Sequence, residues 1–296
     1  MASVGLLLAR LAFRVTGSGL ASWAALGLFA GSFDLVQWTP RVGSDATFLL
    51  FAYAVFVMET RRILSRSGRW LPVFAASAAA SLYRPTGIVL FPITAWSFYL
   101  ARTRPSGATR ARMLGLLIAA ACVVALGLAF VWQDPARWPF AFAQQEVAAI
   151  ARGYGEGQVV WDRTDTYHAP PQALADHWAI TGDRFLHFFA PGAAGYSAAH
   201  WLAQALFFGP VYLLAGWFVL LLLSGRTGLG ARESDACYAV LGAILAYASF
   251  HAVVQIDFDW RYRTPIMPHL ILLAAGGLAN VVRPAGGDAE AAARRA

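Results

Sequence analysis

Lysine is missing from this chain of 296 residues, and charged residues of every kind make up only 13% of it. Hydrophobic residues make up 58%. A soluble domain averages about a quarter charged residues and about half apolar ones. The scarcity of charge therefore excludes an ordinary soluble domain and indicates an integral membrane protein.

The basic residues are 23 arginines, and the net charge is +7. A nucleic-acid-binding protein concentrates its basic residues in one patch. Here they are spread over short segments between apolar runs, an arrangement typical of arginines that orient membrane spans. We therefore predict the lipid bilayer as a partner and no nucleic acid.

Cysteine is scarce as well. Cys122 lies in the middle of one apolar run and Cys237 near the end of another, so no disulfide is predicted. The N-terminus lacks the pattern of a signal peptide, because the apolar stretch 4–9 is too short and Arg10 and Arg14 follow it rather than precede it.

Eight apolar runs predict an all-α fold, a polytopic transmembrane helical bundle of about eight membrane segments with one long extracytoplasmic loop. The runs are 18–37, 46–60, 70–83, 86–101, 113–132, 200–224, 235–255 and 265–282. The third and fourth are shorter than the ~20 residues of a full crossing. They meet at Tyr83-Arg84-Pro85, where proline disfavours helix in the preceding residue. We predict a short helical hairpin over 70–101.

Arginine counts predict the orientation of these segments. Segments 61–69 and 102–112 have four arginines each, 1–17 and 225–234 have two each, and the tail has three. All five segments lie on one side if eight spans alternate, and the positive-inside rule makes that side cytoplasmic. We predict a multi-pass protein of the cell membrane (inner or plasma), with the N-terminus and the C-terminus in the cytoplasm.

The predicted organisation has four parts. They are the N-terminal membrane segments 1–132, which hold five apolar segments including the hairpin, the extracytoplasmic loop 133–199, three C-terminal membrane helices in 200–282, and a cytoplasmic tail 283–296. Within the loop, residues 140–151 (FAFAQQEVAAIA) have apolar residues at helical spacing, which predicts an interfacial amphipathic helix.

The segment 257–268 (DFDWRYRTPIMP) carries unusual chemistry for a short loop between apolar runs. Arg261 and Arg263 are two residues apart, and the planar fork of arginine binds phosphate oxygens through paired donors. One interpretation is a phosphate clamp at the membrane surface. The other is surface charges partly paired with Asp257 and Asp259.

Three further charged residues lie at or inside apolar runs. Placing an ionisable side chain there costs free energy, so each of them is a candidate functional residue. Arg84 lies between the two hairpin helices, either as a second basic group facing the same outer cavity or as a tip that reaches solvent. Asp34 lies near the outer end of the run 18–37. Asp45 opens the next run, where it or Ser44 would also serve as a helix N-cap.

The sequence predicts no metal site, and it assigns no cofactor. Asp162, Asp165 and His168 in the long loop are acceptable ligands for a divalent metal, but their spacing matches no specific motif. No nucleophile-elbow, Walker or dinucleotide fingerprint is present.

Three stretches together resemble a known family. "SDATFLLFAYAVFVMETRR", "AASLYRPTGIVLFP" and "DWRYRTPIMPHLILLAAGGL" are similar to bacterial C-type (GT-C) membrane glycosyltransferases, in particular the dolichyl-phosphate-mannose mannosyltransferase-like enzymes. The similarity covers residues from about 15 to 282. Its elements are an acidic residue opening a span (Asp45), an Arg-Pro in a later hairpin (Arg84-Pro85) and an R-Y-R-x-P-x-x-P element (Arg261 to Pro268).

The resemblance implies transfer of a sugar from a polyprenyl-phosphate donor to a glycan, lipid or protein acceptor at the extracytoplasmic face. It implies that Arg261, Tyr262, Arg263 and Arg84 hold the donor's phosphate. The family's N-terminal span and its first outer loop, which carries the catalytic Asp, have no counterpart in this chain. No catalytic residue is therefore assigned, and Asp45 and Asp34 are the candidates.

Two other functions are compatible with the same residues. One is a non-catalytic membrane protein that binds a lipid phosphate or a partner subunit. The other is a transporter, which the sequence disfavours because it shows one broken hairpin and no internal repeat.

Overall fold

A computed structural model of the chain describes residues 2–32, 35, 44–103, 174–192, 196–254 and 260–282. The side chains of Asp45 and Arg261 lie outside the described residues, as do Asp34, the run 113–132 and most of the loop 133–199.

Every regular element in the described ranges is a helix. The α-helices are Ala2–Thr16 (α1), Gly19–Ala30 (α2), Ser44–Ser65 (α3), Leu71–Tyr83 (α4), Leu90–Thr103 (α5), Leu174–Phe188 (α6), Ala198–Leu223 (α7), Ala231–Val254 (α8) and Met267–Val282 (α9). Two 3-10 helices, Pro85–Val89 and Trp260–Ile266, precede α5 and α9. The all-α prediction is confirmed for this part of the chain.

Within the described ranges, three helices are long and apolar enough to cross a membrane, namely Ala198–Leu223, Ala231–Ala252 and Tyr262–Val282. They indicate a membrane protein. The apolar helices α2 and α4 have 12 and 13 residues, which is short of a full crossing. The prediction of eight segments therefore remains a prediction.

The chain divides into two compact units. Unit 1 comprises Met1–Leu114, Leu202–Ile244 and Thr264–Ala296, and unit 2 comprises Gly115–Trp201 and Leu245–Arg263.

In unit 1, α1, α2 and α9 pack together, and α3, α4 and α5 form a second group that contacts α1 through α3. Tyr53 of α3 donates a hydrogen bond to the carbonyl of Thr264 (2.8 Å), which fixes the start of α9 against α3. Helices α7 and α9 approach each other closely at a glycine, because a Cβ added at Gly277 of α9 would meet the Leu214 carbonyl of α7.

The predicted hairpin 70–101 is interrupted at the predicted point. Helix α4 ends at Tyr83, Arg84 is extended (φ −146°, ψ 134°), and Pro85 opens a 3-10 helix. The Arg84 carbonyl accepts from the amide of Gly87 (2.8 Å), so the turn is hydrogen-bonded. The break has the physical cause that the sequence indicates, since proline excludes helical backbone in the residue before it.

Other helix boundaries differ from the sequence analysis. The run 18–37 predicts a full span, but α2 ends at Ala30, where Gly31 donates its amide to the carbonyl of Gly27 (2.8 Å). Helices α1 and α6 were not predicted. Helix α1 is amphipathic, burying Leu8, Leu11 and Val15 at helical spacing, and such a helix produces no long apolar run.

Candidate functional site

The candidate site lies in unit 2 and begins with one face of α6. Arg184 and Phe188 are four residues apart, so they share a helix face, and they are 2% and 3% exposed. His187 is exposed, and its Nδ1 pairs with the carbonyl of Asp183 at 2.8 Å. Helix α6 therefore turns a basic and an aromatic side chain into the interior of the unit.

His251, in the last turn of α8, packs beside that face. Its ring lies 5.2 Å from the ring of Phe188, tilted by 45°, and 5.2 Å from the ring of Tyr262, tilted by 41°. His251 is only 2% exposed. Three elements, α6, α8 and the second 3-10 helix, therefore meet at this imidazole.

The polar atoms of His251 are unusual for a buried ring. Neither Nδ1 nor Nε2 has a hydrogen-bond partner among the described residues. The basic side chains of Arg184 and His187 lie close enough to act electrostatically on the ring. An unsatisfied buried polar group costs about 1–3 kcal/mol, so the fold tolerates this position at the expense of stability.

Arg263 is the third basic group of unit 2 and is 1% exposed. Its Nη1 donates to the carbonyl of Ala190, in the segment that follows α6. This bond ties the second 3-10 helix to the end of α6.

The site brings together two guanidiniums and an imidazole, supplied by Arg184, His251 and Arg263, in the interior of one unit. Attraction between opposite charges is several-fold stronger in such surroundings than in water. Arginine donates paired, charge-assisted hydrogen bonds to phosphate, so an interior that holds these basic side chains suits such an oxyanion.

The site residues that the sequence predicts lie in different parts of the structure. Tyr262 and Arg263 lie in the site, Tyr262 by ring contact with His251. Arg84 belongs to unit 1, where its amide donates to the Ala80 carbonyl (3.1 Å) at the end of α4. The prediction that Arg84 faces the same cavity stays a prediction. The side chain of Arg261 lies outside the described residues.

Arg184 and His251 were not predicted as site residues. His251 had a usable signal, because it is an ionisable residue inside the apolar run 235–255. Arg184 had none in the sequence alone, since it follows Asp183 in a segment that reads as part of a solvated loop.

No group of three or more metal-ligating His, Cys, Asp or Glu side chains occurs in the part of the chain that the structure describes. The potential ligands Asp162, Asp165 and His168 lie outside it. The candidate acids Asp34 and Asp45 also lack described side chains.

Comparison with protein-family models, curated proteins and solved structures found no match to this chain. The assignment to a function therefore depends on the residues of the site and on the resemblance carried by the three quoted stretches.

Proposed function

We propose that this chain binds the phosphate of a polyprenyl-phosphate-linked sugar through the basic side chains of unit 2. We further propose that the chain is a membrane glycosyltransferase, or a fragment of one, and that it transfers this sugar to a glycan, lipid or protein acceptor. The observation that carries the proposal is the burial of Arg184, His251 and Arg263 together in a chain with only 13% charged residues.

Burial of these groups favours an anionic ligand on energetic grounds. Moving a cation out of water costs several kcal/mol even after relaxation of the protein. Hydrogen bonds to charged groups return roughly 1.5–3 kcal/mol each, and arginine donates two of them in parallel to phosphate. The competing explanation pairs the guanidiniums with Asp257 and Asp259, whose side chains lie outside the described residues.

The position of the site along the chain favours a lipid-linked phosphate over a free one. His251 lies at the end of the candidate span Ala231–Ala252, and Tyr262 opens the candidate span Tyr262–Val282. Two consecutive spans that cross a bilayer place their connection at one membrane surface, which is the depth of a lipid headgroup. Tyrosine is enriched at that depth because its ring is apolar and its hydroxyl is polar.

The proposed topology follows from the arginine distribution. Eight membrane segments with both termini in the cytoplasm place the connection 253–261 and the loop 133–199 on the outer side of the cell membrane. The donor's polyprenyl tail would then stay in the lipid while its sugar faces the extracytoplasmic space.

The proposed chemistry is nucleophilic substitution at the anomeric carbon. A carboxylate removes the proton of the acceptor hydroxyl, the acceptor oxygen bonds to the anomeric carbon, and the bond from that carbon to the phosphate oxygen breaks. Polyprenyl phosphate leaves with the electron pair of that bond. Arg184 and Arg263 would stabilise the charge that develops on the leaving phosphate.

The alternative is a non-catalytic membrane protein that binds a lipid phosphate or a partner subunit. It requires only the buried basic side chains of unit 2. Both functions use the same phosphate site.

Binding to the purified protein tests the phosphate site itself. We expect a short-chain polyprenyl phosphate to bind more tightly than the polyprenol of the same length and more tightly than inorganic phosphate. Equal binding of the phosphate and the alcohol would contradict the proposal, and equal binding of the lipid and inorganic phosphate would contradict its lipid-linked form. Release of polyprenyl phosphate from a sugar-loaded donor then separates the enzyme from the non-catalytic alternative.

A further inference from the structure

A carboxyl group that the sequence analysis did not single out is buried in unit 1. Glu59, near the end of α3, is 4% exposed. Helices α4 and α5 both pack on α3. Their buried polar side chains include Ser77 and Thr94, each 0% exposed.

These side chains form one hydrogen-bonded chain across three helices. Thr94 Oγ1 lies 2.6 Å from Glu59 Oε1. Ser77 Oγ lies 3.3 Å from the same Thr94 Oγ1, and either oxygen can donate in that bond. Ser77 Oγ also donates to the carbonyl of Val73 at 3.0 Å.

The hydroxyls beside Glu59 would compensate a carboxylate only in part. The Thr94 hydroxyl donates to Glu59 Oε1, and Ser77 gives its proton to the Val73 carbonyl. The buried hydroxyl of Ser97 is also close to the carboxyl. An ionised carboxylate has about four acceptor positions, so the two hydroxyls of Thr94 and Ser97 replace its hydration incompletely, and burial favours the neutral acid.

The charges on the surrounding elements agree with a neutral acid. Helix α4 carries no Arg, Asp or Glu. Arg102 of α5 and Arg61 of α3 are exposed, and Arg62 of α3 donates to Ser67 at 2.6 Å. The arginines of α1, which also packs on α3, are exposed as well; they are Arg10 and Arg14.

One imidazole faces α3 from another element. His269 of α9 packs on Phe56 of α3, with ring centroids 4.4 Å apart. It is 4% exposed, and burial of an imidazole favours the neutral form. Burial of an unpaired carboxylate would cost far more than burial of the neutral acid.

We propose that Glu59, Thr94 and Ser77 form a proton-binding site in the interior of unit 1, with Glu59 as the neutral acid at neutral pH. The bound ligand is a proton rather than a metal ion, and hydrogen bonds link the Glu59 carboxyl to Thr94, Ser77 and the Val73 carbonyl. The site is independent of the phosphate site in unit 2, and neither proposal depends on the other.

Infrared spectroscopy of the purified protein at neutral pH tests this site. A protonated carboxyl has a C=O stretching band distinct from the bands of a carboxylate. We expect that band in the wild type, its loss in Glu59→Gln, and its retention in Glu233→Gln, which changes a partly buried carboxyl in the first turn of α8. Thr94→Val should retain the band but shift its frequency, because the hydrogen bond that the carboxyl accepts from Thr94 is removed.

An ionised Glu59 would give a different spectrum. If Glu59→Gln leaves the protonated-carboxyl region unchanged and instead removes intensity from the carboxylate bands, Glu59 is ionised and the proposal is wrong. Glutamine is neutral like the protonated acid and keeps an oxygen that accepts from Thr94, so Glu59→Gln should also keep the thermal midpoint of the wild type. A large fall in that midpoint would contradict a neutral Glu59.

Discussion

Arg184, His251 and Arg263 are each at most 2% exposed, although basic side chains are among those most often found at protein surfaces. Arg263 donates to Ala190, a bond between groups 73 residues apart in the chain. His251 lies between two aromatic rings with neither nitrogen hydrogen-bonded within the described residues. At the scale of single residues, the His251 nitrogens left without a partner among the described residues cost stability that a ligand would offset.

This trade between stability and binding predicts the behaviour of His251→Phe. The substitution keeps an aromatic ring between Phe188 and Tyr262 and removes two buried nitrogens, so the thermal midpoint should equal or exceed that of the wild type. Polyprenyl phosphate binding should weaken about tenfold or more, because a hydrogen bond to a charged group is worth roughly 1.5–3 kcal/mol.

His269→Phe is the matched control for that variant, because His269 is also buried and packs on an aromatic ring, but in unit 1. It should leave binding unchanged. An unchanged dissociation constant in His251→Phe, or an equal loss in both variants, would remove His251 from the site.

At the scale of elements, glycine decides how closely two of the candidate spans approach. A Cβ at Gly277 of α9 would meet the Leu214 carbonyl of α7 and lie 2.8 Å from its carbon. Gly276 beside it faces Phe218, at 2.8 Å from the ring. Small residues at helix interfaces allow this close packing in membranes.

Gly277→Ala should therefore destabilise the protein by about 1–3 kcal/mol, the usual cost of overpacking. Gly216→Ala on α7 is the control, since nothing lies within 4 Å of an added Cβ there. Better helix propensity should make that variant neutral or up to about 1 kcal/mol more stable. Thermal unfolding in detergent measures both, and equal midpoints would show that α7 and α9 do not pack as described.

Sequence patterns predict these elements unevenly, for physical reasons. Proline at 85 predicts the end of α4, because its effect on the preceding residue is local. Helices α7, α8 and α9 follow from long apolar runs. Helix α1 does not, because half of it is polar or exposed and its apolar residues are visible only at helical spacing. Helix α2 is shorter than its apolar run because Gly31 ends it.

The site is less predictable than the elements. The motif around Arg263 draws attention to the segment that contacts the end of α6, but Arg184 and Ala190 lie near it through tertiary contacts that no local pattern encodes. His251 and Glu59 share a detectable signal, an ionisable side chain within an apolar run. Their hydrogen-bonding environment depends on neighbouring helices and needs the structure.

At the scale of the whole molecule, three candidate spans indicate a membrane protein, and the arginine-rich segments predict its orientation. Single cysteines test that orientation in a background with Cys122→Ala and Cys237→Ala. Gly68→Cys is suitable because the position is exposed and has no atom within 4 Å of an added Cβ. Gly157→Cys reports on the loop 133–199.

An impermeant thiol reagent added to intact cells should label Gly157→Cys at once and Gly68→Cys only after permeabilisation. This follows because segment 61–69 carries four arginines and should stay in the cytoplasm. The reverse pattern of labelling would overturn the proposed topology and place the connection 253–261 on the cytoplasmic side.

The central claim is that buried arginines of unit 2 hold the phosphate of a lipid carrier, and replacing arginine with lysine tests it most directly. Lysine keeps the charge but loses the planar fork that binds two phosphate oxygens. The measurement is the dissociation constant of a short-chain polyprenyl phosphate for the wild type, Arg184→Lys, Arg263→Lys and Arg261→Lys. The control is Arg102→Lys, an exposed arginine over the Phe98 ring.

The account predicts that Arg184→Lys and Arg263→Lys weaken binding by about tenfold or more, since ~1.4 kcal/mol corresponds to one decade. Arg261→Lys, which the sequence motif adds to the site, should do the same, and Arg102→Lys should match the wild type. Thermal unfolding of each variant verifies that it is folded. Equal dissociation constants in all five folded proteins would contradict the claim and leave the arginines of unit 2 with a structural role alone.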